Sequence, residues 1–202
     1  MPREDYVHLC IVLDASGSME AIESDIKGTF KTFMDEQFRE EGKTVIDVFQ
    51  FSDEVARIVD RADAAEFKND LMDSYRCSGC TALHDAVCTA IDTIGKEFSA
   101  LPEEERPGKV LFVIITDGHE NNSRQFTLKD VKERIDRQTN EYSWEFIYLA
   151  ANQDEFEAES ISGSMGVHFS SVAPGMADFA SQSRKCMSDT LRRIRGERTP
   201  KK

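Results

Sequence analysis

The sequence predicts an α/β fold of the Rossmann-like, doubly wound class, with a mostly parallel sheet, one antiparallel edge strand and helices on both faces. Two observations favour this class. Short apolar segments of strand length alternate along the chain with longer segments whose apolar residues recur at helical spacing. In addition, residues 7–13 and 110–115 are apolar at nearly every position, which is typical of strands buried on both faces of a parallel sheet. Such alternation implies right-handed crossovers.

The strands are predicted from apolar segments that are bounded by polar or turn-forming residues. They lie at residues 7–13, 45–51, 54–59, 110–116, 145–150 and 167–170. The third of them follows the second almost directly, and we expect the two to pair as the antiparallel edge of the sheet.

The helices are predicted from apolar residues that fall on one face. They lie at residues 20–37, 64–72, 82–98, 128–138, 154–162 and 175–194. In the third of these segments, Leu83, Val87, Ile91 and Ile94 form the buried face. Thr127 is the expected N-cap of the fourth. We therefore expect residues 1–195 to form a single domain, and residues 196–202 to form a basic C-terminal tail.

Bulk composition limits the possible functions. The chain has 202 residues, 40% of them hydrophobic, and a net charge of −13, which argues against a protein that coats nucleic acid over its whole surface. No apolar run approaches the ~18 residues needed to span a bilayer. The N-terminal residues 1–5 lack a signal-peptide pattern. We expect a cytoplasmic protein without membrane association, and composition does not indicate its oligomeric state.

The cysteines agree with that location. There are five, an odd number, and they show no framework of a secreted protein. Cys77 and Cys80 form the one CxxC motif, but no second pair of ligands completes a zinc site. The motif also does not lie between the first strand and helix, as in a thioredoxin-like protein. We interpret these thiols as part of a tight loop, with redox and metal roles as the alternatives.

The most informative motif has three parts. Asp14, Ser16 and Ser18 form a D-x-S-x-S pattern directly after the first strand; Thr81 follows much later, and Asp117 comes directly after the strand at 110–116. The carboxyl ends of parallel strands meet at one edge of an α/β sheet, where ligands bind. Carboxylate and hydroxyl oxygens gathered there suit a hard divalent cation.

These three parts resemble the metal-ion-dependent adhesion site (MIDAS) of the von Willebrand factor type A domain, here of the standalone intracellular type found in bacteria or phages. The resemblance implies that Ser16, Ser18 and Thr81 bind the metal directly, and that Asp14 and Asp117 hold waters and hydroxyls in place. It also implies Mg²⁺, or Mn²⁺, in preference to Ca²⁺. The implied function is a non-enzymatic adaptor that captures a Glu or Asp carboxylate of a protein partner.

Two other functions are alternatives. A metal-dependent hydrolase or phosphatase could use the same carboxylates, but the general acid of a D-x-D motif is replaced by Ser16. Neither a G-x-S-x-G elbow nor a P-loop is found. Association with nucleic acid, which is not expected, is supported only by the basic residues between Arg184 and Lys202. Their simpler interpretation is a solvated helix end followed by a frayed tail.

Some polar residues near the motif allow two interpretations. Asp85 lies one turn after Thr81. It is either a negative charge that stabilises the start of a helix or an acceptor of a hydrogen bond that supports the site. His119 and Glu120 either line the rim of the site or belong to a polar loop. His8, inside the first strand, is expected to be a satisfied core or interface histidine.

Overall fold

A single six-stranded sheet forms the centre of the molecule in the computed structural model, which describes residues 1–37, 42–64, 66, 71–117, 119–151, 167–172 and 176–196. The strands are β1 (Arg3–Asp14), β2 (Lys43–Phe51), β3 (Val55–Asp63), β4 (Pro107–Thr116), β5 (Glu145–Ala151) and β6 (Val167–Val172). Their order in the sheet is β3-β2-β1-β4-β5-β6. All neighbours are parallel except β2 and β3, so the predicted antiparallel edge is confirmed.

Of the described α-helices, the first three connect strands and the fourth follows β6. They are α1 (Glu23–Gln37), α2 (Leu83–Ala100), α3 (Leu128–Tyr142) and α4 (Met176–Arg195). Within the described ranges, short 3-10 helices lie at Gly17–Ile22, Leu71–Asp73 and Glu103–Glu105. Thr127 caps α3 as predicted, in a capping box with Asp130.

Helices cover both faces of the sheet, because successive side chains of β1 enter two different hydrophobic cores. Leu9, Ile11 and Leu13 point into a core that includes residues of α1 and α4. Cys10 and Val12 point into a second core with α2 and α3. Since side chains alternate between the faces of a strand, a run that is apolar throughout fills both cores. The doubly wound α/β class is therefore confirmed.

Some predicted boundaries were wrong. The helix predicted at 20–37 begins as a 3-10 turn, Gly17–Ile22, and becomes α-helical at Glu23. β3 continues to Asp63 rather than ending at residue 59, because its register shifts and Arg61 adopts a left-handed backbone with φ 49°. The predicted helix at 64–72 falls partly, and the one at 154–162 wholly, outside the described residues.

A buried charge network ties the β2–β3 edge to β1. Nε2 of His8 lies 2.8 Å from Oδ2 of Asp47, and both side chains are fully buried. Asp47 Oδ1 accepts hydrogen bonds from Arg57 Nε (2.6 Å) and from the backbone N–H of Arg61 (3.1 Å). Arg57 also pairs with Glu97 of α2. His8 is thus a core histidine, as its position predicts, and it lies against the carboxylate of Asp47.

Among the described residues, no helix is both long enough and apolar enough to cross a bilayer.

Candidate metal centre

The predicted site lies at the carboxyl edge of the sheet, between its two central strands. Leu13 of β1 is in register with Ile115 of β4, so the residues that follow them emerge side by side. Asp14 ends β1, and Asp117 follows the last residue of β4. Parallel pairing therefore brings together two carboxylates that lie about one hundred positions apart in the chain.

Asp14 is fully buried, and both of its carboxylate oxygens accept hydrogen bonds. Oδ1 accepts the backbone N–H of Ser16 at 2.7 Å, and Oδ2 accepts the hydroxyl of Thr116 at 2.6 Å. Burial raises the pKa of Asp14, and these two hydrogen bonds oppose the rise. The hydroxyl of the buried Tyr75 donates to the carbonyl oxygen of Asp14. Asp14 is therefore held rigidly.

The serine hydroxyls link Asp14 to Asp117. Oγ of Ser16 lies 3.0 Å from Oγ of Ser18, and Ser18 Oγ donates to Oδ1 of Asp117 at 2.7 Å. Ser16 is buried, whereas Ser18 is exposed. Burial raises the pKa of Asp117, and the bond from Ser18 opposes this. Asp14, Ser16, Ser18 and Asp117 thus form a hydrogen-bonded series, with the Ser16 backbone N–H as its link to Asp14, that opens to the surface at Ser18.

The segment before Thr81 is joined to the serine loop by backbone hydrogen bonds. Gly17 N–H donates to Gly79 O at 3.1 Å, and Ser78 N–H donates to Ala15 O at 2.8 Å. Gly79 has φ +82°, a conformation that L side chains rarely adopt, and a Cβ there would lie 2.1 Å from Oδ2 of Asp53. A side chain at this position would therefore strain the backbone and displace the carboxylate of Asp53.

Thr81 is buried and is fixed through its backbone. Its N–H donates to Oδ1 of Asn121 at 2.9 Å. Its carbonyl oxygen accepts the N–H groups of Asn121 (3.0 Å) and Asn122 (3.2 Å), in the loop between β4 and α3. Thr81 is therefore fixed to the loop that follows Asp117.

The residues fit an ion such as Mg²⁺. The donors are oxygens only, as hard cations prefer. Neighbouring ligands in an octahedron with Mg–O distances of ~2.1 Å are ~3.0 Å apart, close to the separation of the Ser16 and Ser18 hydroxyl oxygens. In the part of the chain that the structure describes, no group of three or more His, Cys, Asp or Glu side chains is placed to hold a metal. A metal here would therefore depend on hydroxyl oxygens.

Two supporting contacts were not anticipated from the sequence. The Thr116 hydroxyl on Asp14 and the Asn121 side chain on Thr81 both come from residues outside the D-x-S-x-S, Thr and Asp pattern. Thr116 directly precedes Asp117, and its position at the end of an apolar strand was the one available signal. Asn121 lies in a polar loop without periodicity, so nothing in the sequence marks its contact with Thr81.

The cysteines of the CxxC motif lie in this loop region. Cys80 is exposed and Cys77 is half-buried, and both are free thiols. The Cys80 N–H donates to Oδ1 of Asp53 at 3.2 Å. The motif therefore lies in the loop that leads to Thr81, as predicted, while its chemical role stays a prediction.

Comparison with known proteins agrees with this architecture. A sequence model of the von Willebrand factor type A domain matches residues 8–183. The chain therefore belongs to the von Willebrand factor type A domain family, whose members often serve in protein interaction. A search among curated proteins finds no match.

Solved structures share the fold at low sequence identity. A von Willebrand factor type A protein from Catenulispora acidiphila is similar with a TM-score of 0.66 and 13% identity, over 92% of this chain and 42% of that one. A variant of the PilB minor pilin from Streptococcus sanguinis is similar with a TM-score of 0.67 and 10% identity, over 94% of this chain and 61% of that one. BatB from Bacteroides thetaiotaomicron is similar with a TM-score of 0.63 and 15% identity, over 95% of this chain and all of that one. This chain thus spans less than two thirds of the first two proteins.

Proposed function

We propose that this protein is a non-enzymatic, metal-dependent binding module that captures an acidic side chain of a protein partner. The observation that carries the proposal is the hydrogen-bonded series Asp14, Ser16, Ser18 and Asp117, together with the attachment of Thr81 to the loop that follows Asp117. The series lies at the edge of the sheet where α/β proteins bind ligands. Membership of the family supports the same function.

Each residue has a role that follows from its surroundings. Ser16, Ser18 and Thr81 would hold Mg²⁺ or Mn²⁺ through neutral hydroxyl oxygens, which leave the charge of the ion largely uncompensated. Asp14 supplies negative charge from a buried position and orients the serine loop by accepting the Ser16 N–H. Asp117 orients the Ser18 hydroxyl. A bound ion would offer one electrophilic position to an anionic oxygen of the partner.

The burial and hydrogen bonding of Asp14 favour a binding function over an enzymatic one. A phosphatase-type nucleophile needs a carboxylate oxygen that can reach the substrate. Both oxygens of Asp14 are already engaged, with Ser16 and Thr116, and the side chain is fully buried. The hydrolase alternative is therefore the weaker proposal.

The paired arginines of α4 weigh against nucleic-acid binding by this helix. Arg184 pairs with Glu36 of α1, and Arg193 pairs with Glu145 of β5. These side chains would have to leave carboxylates of the same molecule before binding phosphates. The simpler interpretation, a helix end that packs on the domain, therefore accounts for the two arginines.

We also propose a cytoplasmic location, which the five free thiols support because disulfides are rare in reducing compartments. The partner is proposed to present Glu or Asp on a surface that is otherwise neutral or basic. The net charge of −13 would repel a strongly acidic partner, so recognition would depend on one well-placed carboxylate rather than on an acidic patch.

Affinity capture tests this function. Wild-type protein and the Thr81→Ala variant are used as bait in Mg²⁺ and in chelator, and circular dichroism verifies that the variant is folded. We expect partners that are retained only by the wild type and only in Mg²⁺. Asp189→Ala, an exposed site on α4, is the matched control and should capture as the wild type does. The same partners retained in chelator would contradict the proposal.

A further inference from the structure

The start of α2 is capped by another part of the chain. Its N-cap residue, Ala82, offers no side-chain acceptor, yet the first N–H groups of a helix need acceptors. The His84 N–H donates to Oε2 of Glu120 at 3.0 Å, and the Asp85 N–H donates to Oγ of Ser123 at 3.1 Å. Glu120 and Ser123 belong to the loop between β4 and α3, so this loop supplies the missing cap.

The capping is reciprocal, because the Asp85 carboxylate in turn accepts hydrogen bonds from backbone N–H groups of the same loop. Its Oδ1 accepts the N–H groups of Gln125 (3.0 Å) and Phe126 (2.8 Å), and its Oδ2 accepts that of Arg124 (2.9 Å). Asp85 is 8% exposed, so these bonds are largely shielded from water. Charge-assisted bonds of this kind are the strong ones. A simple helix-start charge would not need three backbone partners from a distant loop.

The carboxylate of Glu120, in the β4–α3 loop, accepts hydrogen bonds both from its own loop and from the start of α2. Its Oε1 accepts the N–H groups of Asn122 (2.8 Å) and Ser123 (2.6 Å), and its Oε2 accepts the Ser123 hydroxyl (2.6 Å) besides the His84 N–H. The Ser123 hydroxyl thus lies between the Asp85 N–H and the Glu120 carboxylate. The two acidic residues act on a single hydrogen-bonded unit.

The backbone of Thr81 belongs to the same hydrogen-bonded unit, and the loop that forms the unit begins shortly after Asp117 in sequence. The Thr81 N–H donates to the side-chain oxygen of Asn121, and the Thr81 carbonyl oxygen accepts the backbone N–H groups of Asn121 and Asn122, which follow Glu120 in sequence. The segment that carries Thr81 and the segment that follows Asp117 are therefore fixed to each other by these three hydrogen bonds and by those of Asp85 and Glu120.

We infer that Asp85 and Glu120 are positioning residues for the metal centre, which they do not themselves bind. The inference deepens the proposed function and rests on it. By locking the start of α2 to the β4–α3 loop, the two carboxylates preset the distance between Thr81 and Asp117. Preorganised ligands bind a metal more tightly, since less order has to be imposed on binding, and loss of such outer contacts typically weakens metal affinity about 10–100-fold.

The test is Mn²⁺ affinity, measured by calorimetry, for the wild type, Asp85→Asn and Glu120→Gln. An amide offers one carbonyl oxygen in place of two carboxylate oxygens, so each variant loses acceptors at nearly constant shape. We expect each to bind Mn²⁺ about 10–100-fold more weakly, with unchanged stoichiometry. Ser123→Ala, a milder change for the case that the others fail to fold, should weaken binding about fivefold, as for one hydrogen bond.

A double-mutant cycle separates positioning from general stability. In a Thr81→Ala background, Asp85→Asn should have a much smaller effect on Mn²⁺ affinity, because the residue that it positions is gone. Thr127→Ala, which removes the neighbouring cap of α3, is the structural control and should leave the affinity within about twofold of the wild type.

The possible outcomes distinguish the two ideas. A wild type that binds Mn²⁺, together with an Asp85→Asn variant that binds it equally well, overturns the positioning role alone. Equal losses from Asp85→Asn with and without Thr81 would overturn it too. A folded wild type that binds no divalent metal overturns the proposed function and this inference together.

Discussion

The hydroxyl of Thr116 donates to the carboxylate of Asp14 at 2.6 Å, across the two central strands of the sheet. Both residues are fully buried. The contact couples the last residue of β4 to the last residue of β1, directly beneath the predicted metal centre. It also opposes the effect of burial on the pKa of Asp14 and so favours the ionised form.

Replacing Thr116 by Val should destabilise the protein. The side chain keeps nearly the same shape, but Oδ2 of Asp14 loses its donor inside the core, which costs about 1–3 kcal/mol. Urea unfolding of the wild type and the variant measures the difference in the free energy of unfolding. Thr116→Ser, which keeps the hydroxyl, should lose clearly less. Equal losses in both variants would indicate that packing, rather than the hydrogen bond, is responsible.

Gly79→Ala should damage both stability and metal binding. The backbone at φ +82° is strained for alanine, and the new Cβ would lie 2.1 Å from Oδ2 of Asp53, so we expect a loss of at least about 2 kcal/mol. Denaturant unfolding measures it. Gly28→Ala in α1 is the matched control: its Cβ would meet no atom within 4 Å, and it should stabilise the protein by about 0.5–1 kcal/mol.

Magnesium should raise the thermal stability of the wild type. A ligand that binds only the folded state at a hundredfold excess over its dissociation constant adds about 2.7 kcal/mol. Asp14→Ala should remove this increment, and Asp189→Ala should retain it. Differential scanning calorimetry with and without Mg²⁺ measures the change in melting temperature. An equal rise in Asp14→Ala would show that the ion acts elsewhere on this acidic chain.

Acid should destabilise the protein through His8. Burial lowers its pKa more than Asp47 raises it, and Arg57 and Arg61 add positive charge nearby; Tyr6 lies on its other side. As the pH falls below ~6.5, the unfolded chain takes up a proton that the folded chain does not. The unfolding free energy should then fall by up to about 1.4 kcal/mol per pH unit, until the lowered pKa is reached.

His8→Gln removes that titration while it keeps an amide that can donate to Asp47. Urea unfolding between pH 7.5 and 5 should show a flatter pH dependence for this variant than for the wild type. The same replacement at the exposed His119 is the control. If both variants keep the full acid dependence, the effect arises from other groups.

Much of the fold could be predicted because buried strands of a parallel sheet are nearly continuous apolar runs. The errors occur where tertiary contacts override local pattern. β3 continues past residue 59 because Arg61 turns its backbone N–H toward Asp47, which no local signal marks. The predicted helix at 20–37 includes part of the 3-10 turn because Ile22 continues the apolar face of Ile26, Phe30 and Phe33.

The sequence was sufficient to predict which polar residues come to this edge of the sheet, but not which contacts support them. Asp14, Ser16, Ser18, Thr81 and Asp117 follow strand ends or tight loops, and their order along the chain carries the information. The acceptors that Asp85 offers to residues 124–126 depend on how two loops meet in space. A single sequence leaves such contacts between distant segments unmarked.

The exposure of the thiols has a practical consequence. Cys10 and Cys88 are buried, Cys77 and Cys186 are half-buried, and Cys80 is exposed directly before Thr81. A maleimide fluorophore should therefore attach first at Cys80, and mildly alkaline buffer should speed the labelling, because a hydrogen bond to Asp53 raises the pKa of this thiol. The native chain thus carries its own attachment point for an optical reporter of ligand capture.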